Sequence, residues 1–174
     1  MQQVMLSTVL VLLCSLANFG HSTECPPDWR PPEVHGIRLG MSVKQVKSRL
    51  PFLKIPPPDK YDVRWAFLYV TTNAQQRRRL PRVFGIEMWF LKNRLVRYNI
   101  HYYGSDKPEA MRRFIDSVAK SFNLSERMKV SHGTYECGNI SIGIAEENKR
   151  IVSLRDLRGE ATLDRRVDES YGIK

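Results

Sequence analysis

The chain has 174 residues, 42% of them apolar and 26% charged, a globular balance that excludes a collagenous or largely disordered polymer. Without a leader, roughly 150 residues remain, enough for one core burying about 70% of the unfolded surface, so one domain is expected. Net charge is +10, and no Lys, Arg, Asp or Glu falls in the first 22 residues, so the rest of the chain carries the whole excess. That charge is either a solubility setting or a footprint for nucleic acid, lipid head groups, lipopolysaccharide or acidic glycan.

Met1–Ala17 holds an apolar run of about 14 residues starting at Val4, short of the ~20 a membrane span needs. It matches the apolar region of a secretory signal peptide, expected over residues 1–22. Ser15 and Ala17, or Gly20 and Ser22, supply small residues for cleavage. No Lys or Arg precedes the run, which keeps an uncleaved N-terminal anchor as the alternative. Leu13 stands before Cys14 where a lipoprotein needs a small residue. The location expected is periplasmic or secreted. Loss of the leader would leave Cys25 and Cys137, an even pair suited to an oxidising compartment. A bridge between them would close a loop of about 110 residues, stabilising by roughly 4–5 kcal/mol in the chain-entropy model. The alternatives are two free thiols or a metal pair, but no His stands at ligand spacing.

Residues 23–35 are a Pro-rich extended lead-in, with Trp29 expected on the domain edge. Residues 36–157 are read as a single domain. In Gly36–Pro51, Ser42 is a helix N-cap and Gln45 completes a capping box. Met41 and Val46 are spaced as a hydrophobic staple, Val43, Val46 and Leu50 recur at helical spacing, and Pro51 ends the helix.

The string Gly36-Ile37-Arg38-Leu39-Gly40-Met41-Ser42-Val43-Lys44-Gln45-Val46 resembles the opening motif of the SmpA/OmlA-type small outer-membrane lipoproteins, in which G-M-[ST]-x-x-x-V starts a helix. The resemblance implies an antiparallel meander after that helix and a role in outer-membrane barrel assembly. It also brings in the related β-lactamase-inhibitor-protein fold, which binds other proteins. The string is similar, too, to that of secreted bacterial proteins for which no activity is implied.

Pro56-Pro57-Pro58 is a rigid connector. Trp65–Thr71 alternates as a strand, with Ala66, Leu68 and Val70 on one face and Trp65, Phe67 and Tyr69 on the other. Two apolar faces predict an interior or covered strand. Gln75–Arg82 reads as a polar loop whose Arg77, Arg78, Arg79 and Arg82 are either a solvated charge run or an anion-binding loop. Val83–Tyr103 is the strongest strand signal, two alternating runs about a Lys92-Asn93-Arg94 turn. Phe84, Ile86, Met88, Phe90, Val96, Tyr98, Ile100 and Tyr102 are expected inside. Glu87, Trp89, Arg97, Asn99, His101 and Tyr103 are expected on the outer face, which is either a binding surface or a face covered by a helix or loop.

Asp106–Phe122 is the long helix, with Asp106 as N-cap. Its apolar stripe runs through Met111, Phe114, Ile115, Val118, Ala119 and Phe122. Thr134–Cys137, Ile140–Ala145 and Arg150–Leu157 read as strands, and residues 158–174 as a charged, frayed or short helical tail. The fold expected is α+β: an antiparallel meander sheet of five to six strands packed by one long and one short helix, with a helix and three strands occurring twice.

Chemistry is sparse. His21, His35, His101 and His132 have no His or Cys at helical metal spacing. There is no nucleophile elbow, phosphate loop, H-E-x-x-H or dinucleotide fingerprint. No cofactor and no enzyme activity are therefore expected; a hydrolase would need a cleft with a His or Cys constellation that the sequence does not offer. The functional expectation is an extracytoplasmic binding or envelope-assembly module with a protein partner in the cell envelope. The alternative is a basic-surface binder of anionic lipid, polysaccharide or nucleic acid. Candidate binding residues are Arg77, Arg78, Arg79, Arg82, Glu87, Trp89, Arg97, Asn99 and His101.

Overall fold

The structure, a computed structural model, describes residues 25–70, 74–105, 107–145 and 149–171. The expected signal peptide and Asp106 lie outside the described residues, but the long helix starts at Pro108 with Lys107, not Asp106, at its N-cap position. The chain forms α1 (Val43–Arg49), β1 (Val63–Tyr69), α2 (Ala74–Arg79), β2 (Val83–Leu91), β3 (Arg94–Tyr102), α3 (Pro108–Ser121), β4 (Lys129–Ser131), β5 (Thr134–Cys137), β6 (Ile140–Ile144), β7 (Ile151–Asp156) and α4 (Leu157–Tyr171). The strands make one antiparallel sheet of seven, in the order β1-β2-β3-β7-β6-β5-β4. The class is α+β as expected, with more strands than the five to six anticipated. The added strand is β4, whose three exposed residues give no alternation to read.

Local chemistry explains most elements. Ser42 and Gln45 form the capping box reciprocally, Gln45 N donating to Ser42 Oγ (3.3 Å) and Ser42 N to Gln45 Oε1 (2.8 Å). The hairpin between β2 and β3 turns on Lys92 and Asn93 alone, both at positive φ, the geometry whose twist suits a two-residue loop. α3 buries Met111, Ile115 and Ala119, with Phe114, Val118 and Phe122 packed beside them.

The main core lies between one sheet face and the helices α1 and α3. Ile86, Met88, Phe90, Tyr98, Ile100 and Leu154 have essentially no exposure there. The Pro-rich lead-in belongs to it: Val34 and Ile37 are buried, Trp29 packs against the cluster, and Tyr98 Oη donates to Ile37 O (3.1 Å). Cys25 and Cys137 are bridged, with Cα atoms 5.3 Å apart, which fixes the start of that segment to β5.

Four local expectations are corrected. Phe84 and Val96 do not face the main core. Register shifts fall between Val83 and Gly85 and between Trp89 and Phe90, so Phe84 and Val96 are the extra residues of two bulges and turn to the outer face. The arginine-rich stretch is the helix α2, not a loop; Ala, Gln and Arg are strong helix formers, and Leu80 anchors the end by full burial. The expected tail is α4, a 15-residue helix docked on the outer face, where Leu163 joins Val63, Leu91 and Val96 in a second apolar cluster. And β1 is an edge strand rather than a covered one, with Trp65 52% and Tyr69 61% exposed, because α4 does not reach its far half.

Candidate functional site

The outer sheet face divides into a covered and an open part. At the covered part, Arg97 stacks over the Trp89 ring, 4.6 Å from its centroid, and pairs with Glu160 of α4 at 3.1 Å. Trp89 and Arg97 thus dock α4, and the structure separates them from the other candidate residues. Asp156 starts that helix: its Oδ1 accepts from Arg158 N (3.2 Å) and Gly159 N (3.3 Å).

Next to the covered part, Glu87 and Asn99 stand opposite each other in the β2–β3 ladder, and Asn99 stands opposite Ser153 of β7; Asn99 and Ser153 are buried, and Glu87 and His101 are half-buried. Ser153 Oγ donates to Asn99 Oδ1 (2.7 Å), and Asn99 Nδ2 donates to Glu87 Oε2 (3.1 Å). His101 Nε2 lies 3.5 Å from the same carboxylate oxygen. Three sequence candidates, Glu87, Asn99 and His101, are therefore brought together. Ser153, fully buried, was not singled out by sequence, since a lone Ser in an apolar strand carries no distinguishing pattern. The order of donors gives the Ser153 hydroxyl an amide acceptor and no base, so the quartet orders the sheet surface rather than building a nucleophile.

Beside this quartet runs an aromatic ledge. Phe67 and Tyr69 have ring centroids 4.2 Å apart, Tyr69 and Phe84 meet edge-on at 5.9 Å, and Phe84 and Tyr103 at 5.7 Å. Phe67 reaches across to His101 at 6.2 Å. Tyr69, Phe84 and Tyr103 are 61%, 41% and 59% exposed. The ledge depends on the first bulge, which rotates Phe84 outward, and on Gly85: a Cβ there would sit 2.6 Å from Phe67 Cζ, so the ring fills the space a side chain would occupy. Gly85 inside an alternating run is the sequence signal that could have located both.

The arginines cluster at the same end of the sheet. Arg77, Arg78 and Arg79 are exposed on α2, which links β1 to β2, and Arg82 is exposed with its carbonyl accepting from Tyr103 N (2.8 Å). A hollow of about 240 Å³ between α3 and the sheet has Arg82 and Tyr103 on its wall. Arg150 on that wall serves the fold: its guanidinium donates to Ser105 O and Ala110 O and lies over Phe114. Nearby, burial pushes the Tyr102 hydroxyl up to about 12 and lowers His35, whose Nε2 is 3.4 Å from Tyr102 Oη. This pair is a neutral structural contact at ordinary pH.

Among the described residues, no group of three or more His, Cys, Asp or Glu is placed to hold a metal ion, and no helix is long and apolar enough to cross a membrane. The surface is thus an open, aromatic and polar sheet face flanked by cations. Compared with known proteins, the chain matches no protein-family model, no curated protein and no solved structure.

Proposed function

We propose that this chain is a non-enzymatic binding module working outside the cytoplasm, with a protein partner seated on the open part of its outer sheet face. The observation that carries the reading is the ledge of Tyr69, Phe84 and Tyr103, exposed at 61%, 41% and 59% beside the hydrogen-bonded Glu87–Asn99–Ser153 set. Asn99 and Ser153 are buried and hold the half-buried Glu87 in place, and rigid aromatic rings beside such a fixed polar group are the composition of interface centres, because they offer area with little conformational entropy to lose. The Cys25–Cys137 bridge supports an oxidising compartment, periplasmic or secreted. The Gly40-Met41-Ser42 helix start, similar to that of the SmpA/OmlA-type proteins, supports an envelope-assembly role of the same kind.

A second reading, an anionic-surface binder, is favoured by the exposed arginines of α2 alongside the ledge. One experiment separates the two. A photo-cross-linking residue is placed at Phe84 and, as control, at Arg112 on the exposed side of α3, in the source cells. A protein adduct from position 84 and none from 112 is expected. No adduct at 84, together with salt-dependent binding to phosphatidylglycerol vesicles that Gln substitution of Arg77, Arg78 and Arg79 abolishes, overturns the first reading for the second.

A further inference from the structure

β1 closes one end of the sheet order, and its free edge has a definite backbone phase. Val63 N donates to Asp59 Oδ1 and Val63 O accepts from Asp59 N, both at 2.9 Å, so the Val63 peptide groups point away from β2. Backbone groups of an antiparallel strand alternate in direction residue by residue. Val70 N donates inward to Phe84 O (3.0 Å), as that phase requires. Trp65, Phe67 and Tyr69 therefore aim their N–H and C=O groups off the sheet, and among the described residues nothing bonds them. Of the usual guards of an edge, β1 has neither proline nor bulge and pairs regularly over seven residues, and its one charge is Arg64. The Pro56–Pro58 segment flanks only its start, across a hollow of about 480 Å³ that reaches Trp65.

The surroundings specify what fits. Alternate side chains of an added strand would lie beside Trp65, Phe67 and Tyr69 on the outer face, where apolar residues pair well. On the other face they would lie beside Arg64, whose Nε is buried without a hydrogen-bond partner. The stretch Lys54–Arg82 holds seven basic side chains and two acidic ones, Asp59 and Asp62. A second copy would bring this basic stretch against itself. We infer that the free edge of β1 accepts an extended, acidic peptide segment with alternating apolar residues as an eighth strand. This inference rests on the protein-binding reading above and gives it a second contact, main chain to main chain, continuous with the aromatic ledge.

The probe is a nine-residue peptide alternating Val with Glu and Asp, titrated into the full chain. Two derivatives carry backbone N-methyl groups on alternate residues, one set each, and a Lys-substituted version tests charge. The expected result is slowed amide exchange at Trp65, Phe67 and Tyr69. One N-methylated set should bind at least tenfold more weakly and the other unchanged, since only one set faces β1. The Lys version should also lose at least tenfold. Equal binding by both methylated sets overturns the inference, as do edge amides already protected without peptide. A dimer of the free chain that Trp65→Pro dissolves gives the edge to a second copy and overturns it as well. Adducts at Phe84 that persist while the peptide leaves β1 untouched remove the edge inference alone; absence of those adducts removes the binding reading itself.

Discussion

Individual residues on this sheet act through one or two contacts each, and His35 is the clearest case. Its backbone sits at φ 53° in the lead-in, and its ring packs 6.1 Å from that of Tyr102. Burial lowers its pKa below the usual 6.5. The folded chain therefore holds this proton less tightly than the unfolded chain does. As pH falls, the unfolded state takes up the proton first, so stability is full above about 6.5 and declines as pH drops from there through the lower folded value. An NMR titration should find the His35 ring changing charge below 6.5. The slope of unfolding free energy between pH 7 and 5.5 should be shallower in His35→Asn, chosen because Asn tolerates positive φ. A His35 midpoint at or above 6.5, or identical slopes, would contradict this. The same scale explains why the site was half legible. Glu87, Asn99 and His101 alternate cleanly in sequence, so their shared face could be read. Phe84 could not be placed by alternation, because one extra residue at a bulge reverses every face assignment on its far side.

Whole elements were legible where their chemistry is local. α1 announces itself through Ser42 and Gln45, α3 through its apolar stripe, and the β2–β3 hairpin through alternation about Asn93. α2 has no apolar stripe, and its run of like charge masks its helical propensity. α4 hides for another reason. Its apolar contacts come from Leu163 and Val167, spaced one turn apart in a charged segment, and the close approach is made by Gly159. A Cβ on Gly159 would lie 2.7 Å from Val96 Cγ1 and 2.9 Å from Val96 Cβ, so the helix rests on the bulge through a residue without a side chain. Helix propensity alone would make Gly159→Ala stabilising by about 1 kcal/mol. Overpacking against a bulged, β-branched residue costs about 1–3 kcal/mol and should win. Chemical denaturation is expected to show net destabilisation in Gly159→Ala. Val96→Ala should be destabilising alone, while the pair should be less destabilised than the sum of the two, by at least 0.5 kcal/mol on the scale of contacting residues. Simple additivity would mean that Gly159 is tolerated for its flexibility and not for the approach it permits.

At the scale of the molecule, the fold joins two runs of strands through α3, and β7 returns to lie against β3 at the centre. That arrangement leaves the N-terminal lead-in as the strap across the main core. It runs from Cys25, bonded to Cys137 on β5, past Tyr98, to Gly40, whose N–H donates to Leu95 O (2.8 Å). Between these anchors the strap makes few backbone bonds within itself, Val34 with Ile37 being one paired bridge. Its order therefore depends on its two ends and on the burial of Val34 and Ile37 between them. The bridge spans 112 residues of sequence, a loop long enough for its closure to remove about 4–5 kcal/mol of unfolded-state entropy in the chain model. Removing it acts twice, by freeing the unfolded chain and by releasing one end of the strap. The double substitution Cys25→Ser with Cys137→Ser is expected to lower the unfolding free energy by about 2–5 kcal/mol, read from the urea midpoint against the oxidised protein. It should also open a protease-sensitive site between Cys25 and Gly36 while β2 and β3 stay protected, because their pairing does not pass through the bridge. An unchanged midpoint would mean that the apolar contacts of Val34 and Ile37 hold the strap unaided. Loss of protection throughout the sheet would mean that the strap is part of the cooperative core and not a strap at all.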